Sequence, residues 1–246
     1  WGARPTQPVV CPLPAFAPVV HCAAVGAGIT AGRGVLESTL SWVERRRTSP
    51  DQRDQAYNTF LAALADWGIL DSLPLDSAGT LLVSAPFCQE FFEAPLLLPF
   101  LARRFLARSG ISSISAFGCD VKPQPFWWPA WESWTAHVLG PRVTLELRQQ
   151  DLEMELPRPA GLTLAVHPEV TTGGPWQRIL SNVLQSRAPG GQCVFATSYA
   201  HEAHATAQVC QGFGVECKIC ENPYYMGQPD GVGTFLRYAV IASRAM

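Results

Sequence analysis

The pattern of apolar and polar positions divides the chain in two. From residue 79 onward, short apolar runs alternate with segments of helical period, and the alternation continues to the end. Strands are predicted over 80–85, 111–119, 143–148, 162–167, 192–198, 216–220 and 235–242. Helices are predicted over 96–108, 128–139, 176–187 and 202–211, with Pro189-Gly190 ending the third and Gly212 the fourth. Repeating strand–helix units specify a mainly parallel sheet with helices on both faces. The final two strands are joined by a glycine-rich loop with no helix between them, so they pair antiparallel.

Before residue 79 the pattern is different. The first 20 residues hold Pro5, Pro8, Pro12, Pro14 and Pro18, which exclude a helix or an inner strand and favour an extended arm. Such an arm lies on its own domain or on a partner, and it is the strongest hint of assembly in the chain. Residues 13–32 carry no Asp, Glu, Lys or Arg. Their length would suit a membrane span, but the prolines and Gly26, Gly28 and Gly32 favour a buried or interface segment. Residues 34–47 read as a helix, with Val35, Leu36, Leu40 and Val43 on one face and Arg45, Arg46 and Arg47 in the last turn, where cations suit the helix dipole. A second helix is predicted from Pro50 to about Trp67, with Ser49 as N-cap, Pro50 at the first position and Tyr57, Phe60, Leu61 and Leu64 as its apolar stripe. The expected division is an arm and helix over 1–48 and an α/β domain over 49–246.

Composition narrows the classes. A hydrophobic fraction of 48% and a charged fraction of 15% describe a globular chain with a sizeable core. A formal net charge of −2 argues against nucleic acid or a strongly anionic membrane as partner. The eight cysteines are scattered, several inside apolar runs, where a reduced thiol packs as a small hydrophobe. A reducing, intracellular compartment is expected, and no Asn-x-Ser/Thr site argues for the secretory route. The chain begins with Trp1, consistent with removal of a targeting peptide and import into an organelle, or with a start that lies further upstream.

Several local phrases carry a resemblance. Ala188-Pro189-Gly190-Gly191 precedes the fifth strand, Gly212-Phe213-Gly214-Val215 leads into the sixth, and Tyr238-Ala239-Val240-Ile241-Ala242 closes the sheet. In these phrases and in element order, residues 50–246 resemble the class I S-adenosylmethionine-dependent methyltransferases. The resemblance implies a doubly wound, seven-stranded, mainly parallel sheet with one antiparallel strand. It implies S-adenosylmethionine as cofactor if the protein is active, with Ser84 and Ala85 beside it. It also implies an acidic residue on the ribose, for which Asp120 is placed, and one near the adenine, for which Asp151 is placed. The first strand departs from the family pattern. Where a glycine-rich turn lets the backbone approach the ligand, this chain has Val83-Ser84-Ala85-Pro86-Phe87-Cys88. Pro86 removes a donor and Phe87 adds bulk near the methionine part.

His167-Pro168-Glu169 ends the fourth strand. His167 is either a catalytic base with a near-neutral pKa or a strand-terminal residue before a turn. Cys217-x-x-Cys220, with Cys210 before it, invites a zinc reading, but strand alternation sends the pair to opposite faces and no metal is expected. His201 and His204, three apart on a helix, lack a third ligand. Asn222-Pro223-Tyr224-Tyr225 reads as the start of the hairpin loop. Trp127, Trp131 and Trp134 lie at helical spacing and form a core-facing stripe or an aromatic interface. Two functions follow. One is a non-catalytic, methyltransferase-like subunit of a larger assembly, contacting protein partners through the arm and the tryptophan region. The other is an active methyltransferase acting on a protein or small molecule.

Overall fold

The structure is a computed structural model and describes residues 30–48, 50–108, 110–225 and 236–243. The proline-rich arm and most of the uncharged segment 13–32 lie outside the described residues. In chain order the elements are α1 (Thr30–Thr48), α2 (Gln52–Asp66), β1 (Thr80–Pro86), α3 (Ala94–Phe105), β2 (Ser113–Asp120), α4 (Trp127–Val138), β3 (Val143–Gln149), β4 (Ala160–Val166), α5 (Trp176–Gln185), β5 (Arg187–Thr197), α6 (Ala200–Gly212), β6 (Glu216–Glu221) and β7 (Tyr238–Ser243).

The seven strands form one sheet in the order β3-β2-β1-β4-β5-β7-β6. Strands β1 to β5 run parallel, and β7 is antiparallel to both β5 and β6. This is the doubly wound sheet that the alternation predicts. The chain steps outward from β1 to β2 and β3, then returns to lay β4 on the other side of β1, with Val83 opposite Leu162 and Ser84 opposite Thr163. That reversal leaves a crevice beyond the carboxyl ends of β1 and β4, where open α/β sheets place their ligands.

Alternation along each strand feeds two core layers. Leu81, Val83, Leu162, Leu164 and Val194 pack with Phe60, Leu61, Leu97, Leu101 and Trp131 of α2, α3 and α4. Ala165, Cys193, Phe195 and Val240 pack with Leu180, Val183, Ala203 and Cys210 of α5 and α6. Each large apolar side chain buried this way contributes about 1.5–3 kcal/mol. No helix lies between β3 and β4. Near there the chain before β1 crosses the sheet so closely that a Cβ on Gly161 would sit 2.6 Å from the Pro74 carbonyl oxygen, which only glycine permits.

Helix α1 is fastened to this body. The Trp42 ring meets Phe92, Trp127 and Trp131 at 5.7, 5.7 and 5.5 Å. Arg46 grips the fully buried Asp54 carboxylate through Nε, at 2.9 and 2.8 Å, and donates to the Phe92 carbonyl at 2.6 Å.

Several boundaries differ from the sequence reading. The N-cap of α2 is Asp51, whose carboxylate accepts the Asp54 amide at 2.9 Å, so Pro50 stands before the helix, and Ser49 lies outside the described residues. Asp and Ser cap about equally well, so the first residue with helical backbone, Gln52, decides which side chain meets the orphan amide. Helix α3 starts earlier than predicted, at Ala94, because Pro95 fits its first turn, and it ends sooner, at Phe105. Ala188-Pro189-Gly190-Gly191 lies inside β5 as an irregularity. Ala160 pairs with Arg187 and Leu162 with Gln192, so five residues of one strand span two of the other.

Candidate functional site

The crevice is walled by the turn between β1 and α3. After Pro86 the backbone passes through Phe87 (φ 45°), Gln89 (φ 47°) and Phe91 (φ 52°), three non-glycine residues in the left-handed region. Each such residue costs about 1–2 kcal/mol, and surrounding bonds must hold it there. The Cys88 amide donates to the Cys119 carbonyl at 3.0 Å and the Gln89 amide to Asp120 Oδ2 at 3.0 Å. The Phe91 amide donates to the Cys88 carbonyl at 2.7 Å. From the far side, α4 presents two indoles one turn apart. Trp128 Nε1 donates to the Gln89 carbonyl and Trp131 Nε1 to the Glu90 carbonyl, each at 2.8 Å. Phe87 meets Trp176 edge-on at 5.3 Å.

The sequence-predicted residues fall as follows. Asp120 ends β2 and is 9% exposed, and its second oxygen accepts the Lys122 amide at 3.0 Å. Both oxygens therefore already hold a backbone N–H. Ser84 is fully buried within the sheet and its hydroxyl has no partner. Ala85 lines the crevice. Asp151 is exposed and caps its own turn, accepting the Glu153 amide at 2.9 Å.

His167 follows β4 and has φ 55°. Its amide donates to the Ala196 carbonyl at 2.8 Å, and its Nδ1 lies 3.3 Å from the Ser198 hydroxyl. Burial pushes the imidazole pKa down, the Glu202 carboxylate opposes this, and the Arg53 guanidinium adds to it. Burial also pushes the Cys119 thiol up to about 12, and the Cys88 thiol well up, so both are protonated at neutral pH.

Between the turn and β4 is a cavity of about 80 Å³, lined by Arg53, Tyr57, Glu93, Leu164 and His167 among others. A second, of about 140 Å³, shares Arg53, Tyr57 and Glu93 and continues toward Trp42 and Arg46. Sequence reading placed Tyr57 in the apolar stripe of α2 and did not single out Arg53 or Glu93. The four-residue spacing of Arg53 and Tyr57 on α2 was a visible signal, but nothing local marks Glu93, which reaches the same space from the start of α3.

The other constellations resolve into structural roles. Cys217 packs with the α5–α6 layer and Cys220 with the opposite one, so they cannot share an ion. His201 stacks on Tyr199 at 5.5 Å, and His204 Nδ1 lies 2.7 Å from the Ala200 carbonyl. Asn222 is buried at the start of the hairpin connection and accepts the Tyr224 amide at 3.0 Å. Trp131 and Trp134 are buried and Trp127 is half-buried against Trp42. Among the described residues, no helix is long and apolar enough to cross a membrane.

Strand order, the single antiparallel strand and the crevice at the β1/β4 reversal define the fold of the class I S-adenosylmethionine-dependent methyltransferases. Among solved structures, the chain is similar to magnesium protoporphyrin IX methyltransferase from Synechocystis with bound S-adenosylmethionine, at a TM-score of 0.53 and 14% identity over 91% of this chain and 100% of that one. The same enzyme with bound S-adenosylhomocysteine gives 0.50 and 12%, over 89% and 100%. A S-adenosylmethionine-dependent O-methyltransferase from Thermotoga maritima gives 0.50 and 14%, over 75% and 65%. No family model and no curated protein matches the sequence. At these identities the likeness establishes the fold and nothing finer.

The fold family implies S-adenosylmethionine at this crevice, and the residues present do not fit it. The turn that should offer its amides to the ligand has spent those of Cys88, Gln89 and Phe91 internally and has none at Pro86. Asp120, placed for the ribose, holds the turn instead.

Proposed function

We propose that this protein keeps the methyltransferase fold without transferring methyl groups and works as an interaction subunit of a larger assembly. The observation that carries this reading is the engagement of Asp120. A ribose diol needs a carboxylate with free, reachable lone pairs. Here each oxygen already holds one backbone amide, and the lone pairs that remain are almost fully covered. The three left-handed residues held over the crevice point the same way. A turn braced by two indoles is a structural knot, and opening it would leave buried polar groups unpaired at about 1–3 kcal/mol each. The protein partners are proposed to meet the N-terminal arm and the face around Phe126 and Trp127, where Phe126 is 51% exposed.

One observation favours a second reading, an active S-adenosylmethionine-dependent methyltransferase on a protein or small-molecule substrate. His167 lines the crevice, and burial keeps its imidazole neutral, the form a proton acceptor needs. Calorimetric titration with S-adenosylmethionine and S-adenosylhomocysteine separates the two. The scaffold reading expects no binding tighter than about 100 μM, which corresponds to roughly 5.5 kcal/mol. Tighter binding that disappears in Asp120→Asn overturns the scaffold reading.

A further inference from the structure

We propose that Cys210 and Cys217 form a hydroperoxide-sensitive dithiol, in which Cys217 reacts first and Cys210 then closes a disulfide that staples the end of α6 to β6. The pair stands apart from the crevice. Strand β6 is the outermost of the sheet, and because β7 is antiparallel to both β5 and β6, it runs with the parallel strands. Cys217 is near its start, at the amino ends of the strands, whereas the crevice is at the carboxyl ends. The inference therefore does not depend on whether the chain binds S-adenosylmethionine.

The fold brings the two sulfurs together. Cys210 lies in the last turn of α6, and only residues 211–216 separate it from Cys217. The Val215 amide returns to the Cys210 carbonyl at 3.2 Å, which turns this link back onto the helix. Cys217 faces the layer that α6 covers, and the Cys210 thiol hydrogen-bonds to it there. Its Sγ lies 3.7 Å from the Val215 carbonyl. Cys193 belongs to the same layer, but it and Cys217 pair with Ala242 from opposite sides. Two strand spacings put their Cα atoms about 9–10 Å apart, more than the roughly 7 Å that a disulfide can bridge. Cys220 faces the other core layer. Cys210 is therefore the partner that the fold places within reach.

The two thiols differ in access and in charge. Cys210 is fully buried and Cys217 is half-buried on an edge strand, so a small oxidant meets Cys217 first. Arg187 Nη1 donates to the Ala242 carbonyl at 3.0 Å, which sets a guanidinium beside the residue paired with Cys217. The bond from Cys210, and then this cation, hold the Cys217 thiol below its ordinary pKa, although burial opposes them. The same bond and burial push the Cys210 thiol up, so it keeps its proton. The thiolate is the nucleophile in both oxidation and exchange. Cys217 sulfur attacks one oxygen of the hydroperoxide, the O–O bond breaks, and a sulfenic acid forms. The departing oxyanion takes up the proton that Cys217 has lost. Cys210 sulfur then forms the S–S bond as the S–O bond of the sulfenic acid breaks, and its proton leaves with the hydroxide as water. The two sulfurs together lose two electrons, which the hydroperoxide gains.

The test is peptide mapping of the full chain, reduced, freed of reductant and treated with equimolar hydrogen peroxide. Cleavage after Glu202, Glu216 and Lys218 separates Cys210, Cys217 and Cys220 onto different peptides. In the wild type, peptides 203–216 and 217–218 should appear joined, and dithiothreitol should part them. Dimedone, which traps sulfenic acids, should label Cys217 in Cys210→Ser and label it about tenfold less in the wild type, where the disulfide consumes the intermediate. In Cys217→Ser, Cys210 should stay reduced. Cys220→Ser should leave the joined peptides unchanged. If Cys210→Ser does not fold, Cys217→Ser, at a half-buried edge position, carries the comparison. Peroxide treatment that leaves these two peptides separate overturns the proposal. So does a bridge from Cys217 to Cys193 or Cys220, or oxidation of Cys210 that is as fast in Cys217→Ser as in the wild type.

Discussion

Asp120 Oδ2 accepts the Gln89 amide at 3.0 Å. The carbonyl of the same residue accepts Trp128 Nε1 at 2.8 Å, so Gln89 is held from both sides, by an acid of β2 and an indole of α4. In a fold where this turn ordinarily carries glycine to let a ligand approach, polar side chains of the protein itself occupy the backbone.

Asp120→Asn places an amide donor where two backbone N–H groups need acceptors. One of them loses its partner in a nearly buried setting. The expected cost is about 1–3 kcal/mol, read as a lower urea midpoint with unchanged slope. A variant as stable as the wild type would mean that these two bonds do not hold the turn.

Trp128→Phe keeps an aromatic ring but removes the donor to Gln89. A loss of about 1 kcal/mol is expected, together with faster amide hydrogen exchange across the β1–α3 turn than elsewhere in the sheet. Uniform exchange across the molecule would refute a local bracing role.

Gln89 has an exposed side chain and φ 47°. Gln89→Gly relieves the left-handed strain, worth about 1–2 kcal/mol, at an unfolded-state entropy cost of about 0.5–1 kcal/mol. The net effect is zero to about 1.5 kcal/mol of added stability, unusual for glycine, and thermal unfolding measures it directly.

The Arg46–Asp54 pair ties α1 to α2, with Asp54 fully buried. Asp54→Asn leaves the guanidinium without its counter-charge and is expected to cost about 3–5 kcal/mol. Because Arg46 also lies over Trp42 at 4.4 Å, limited proteolysis should cut within α1 sooner in the variant than in the wild type.

The folded protein holds the His167 pKa below its ordinary value, chiefly through burial. The unfolded state therefore binds the proton first as pH falls, and stability declines below about pH 6.5. The decline stops once pH passes the folded value. Urea midpoints between pH 7.5 and 5 should fall for the wild type and fall less for His167→Gln. Glu93 works in the opposite sense, because its raised carboxyl pKa makes folding less favourable as pH rises through that value. Glu93→Gln should therefore gain stability over the wild type at pH 7.5, and the gain should shrink toward pH 4.5.

The strands, the mainly parallel sheet with helices on both faces and its antiparallel last pair were legible in the sequence because their signal is periodic and local, whereas the order of the strands, a non-local property, came from the tertiary structure. Runs such as Leu81 to Ala85 and Leu162 to Ala165 bury both faces and read as parallel strands, and the helices between them repeat every three to four residues. The missing glycines after β1 were equally visible. Tertiary structure alone decided what takes their place. Gln89 lies 31 residues from Asp120 and 39 from Trp128, and no spacing rule links a turn amide, a strand-end acid and a helix indole. The same holds for Arg53 and Glu93, forty residues apart and brought to one cavity only when α2 and α3 dock on the same face of the sheet. Periodicity reports which face of an element is buried, whereas the partner that a polar group finds there depends on how separate elements pack.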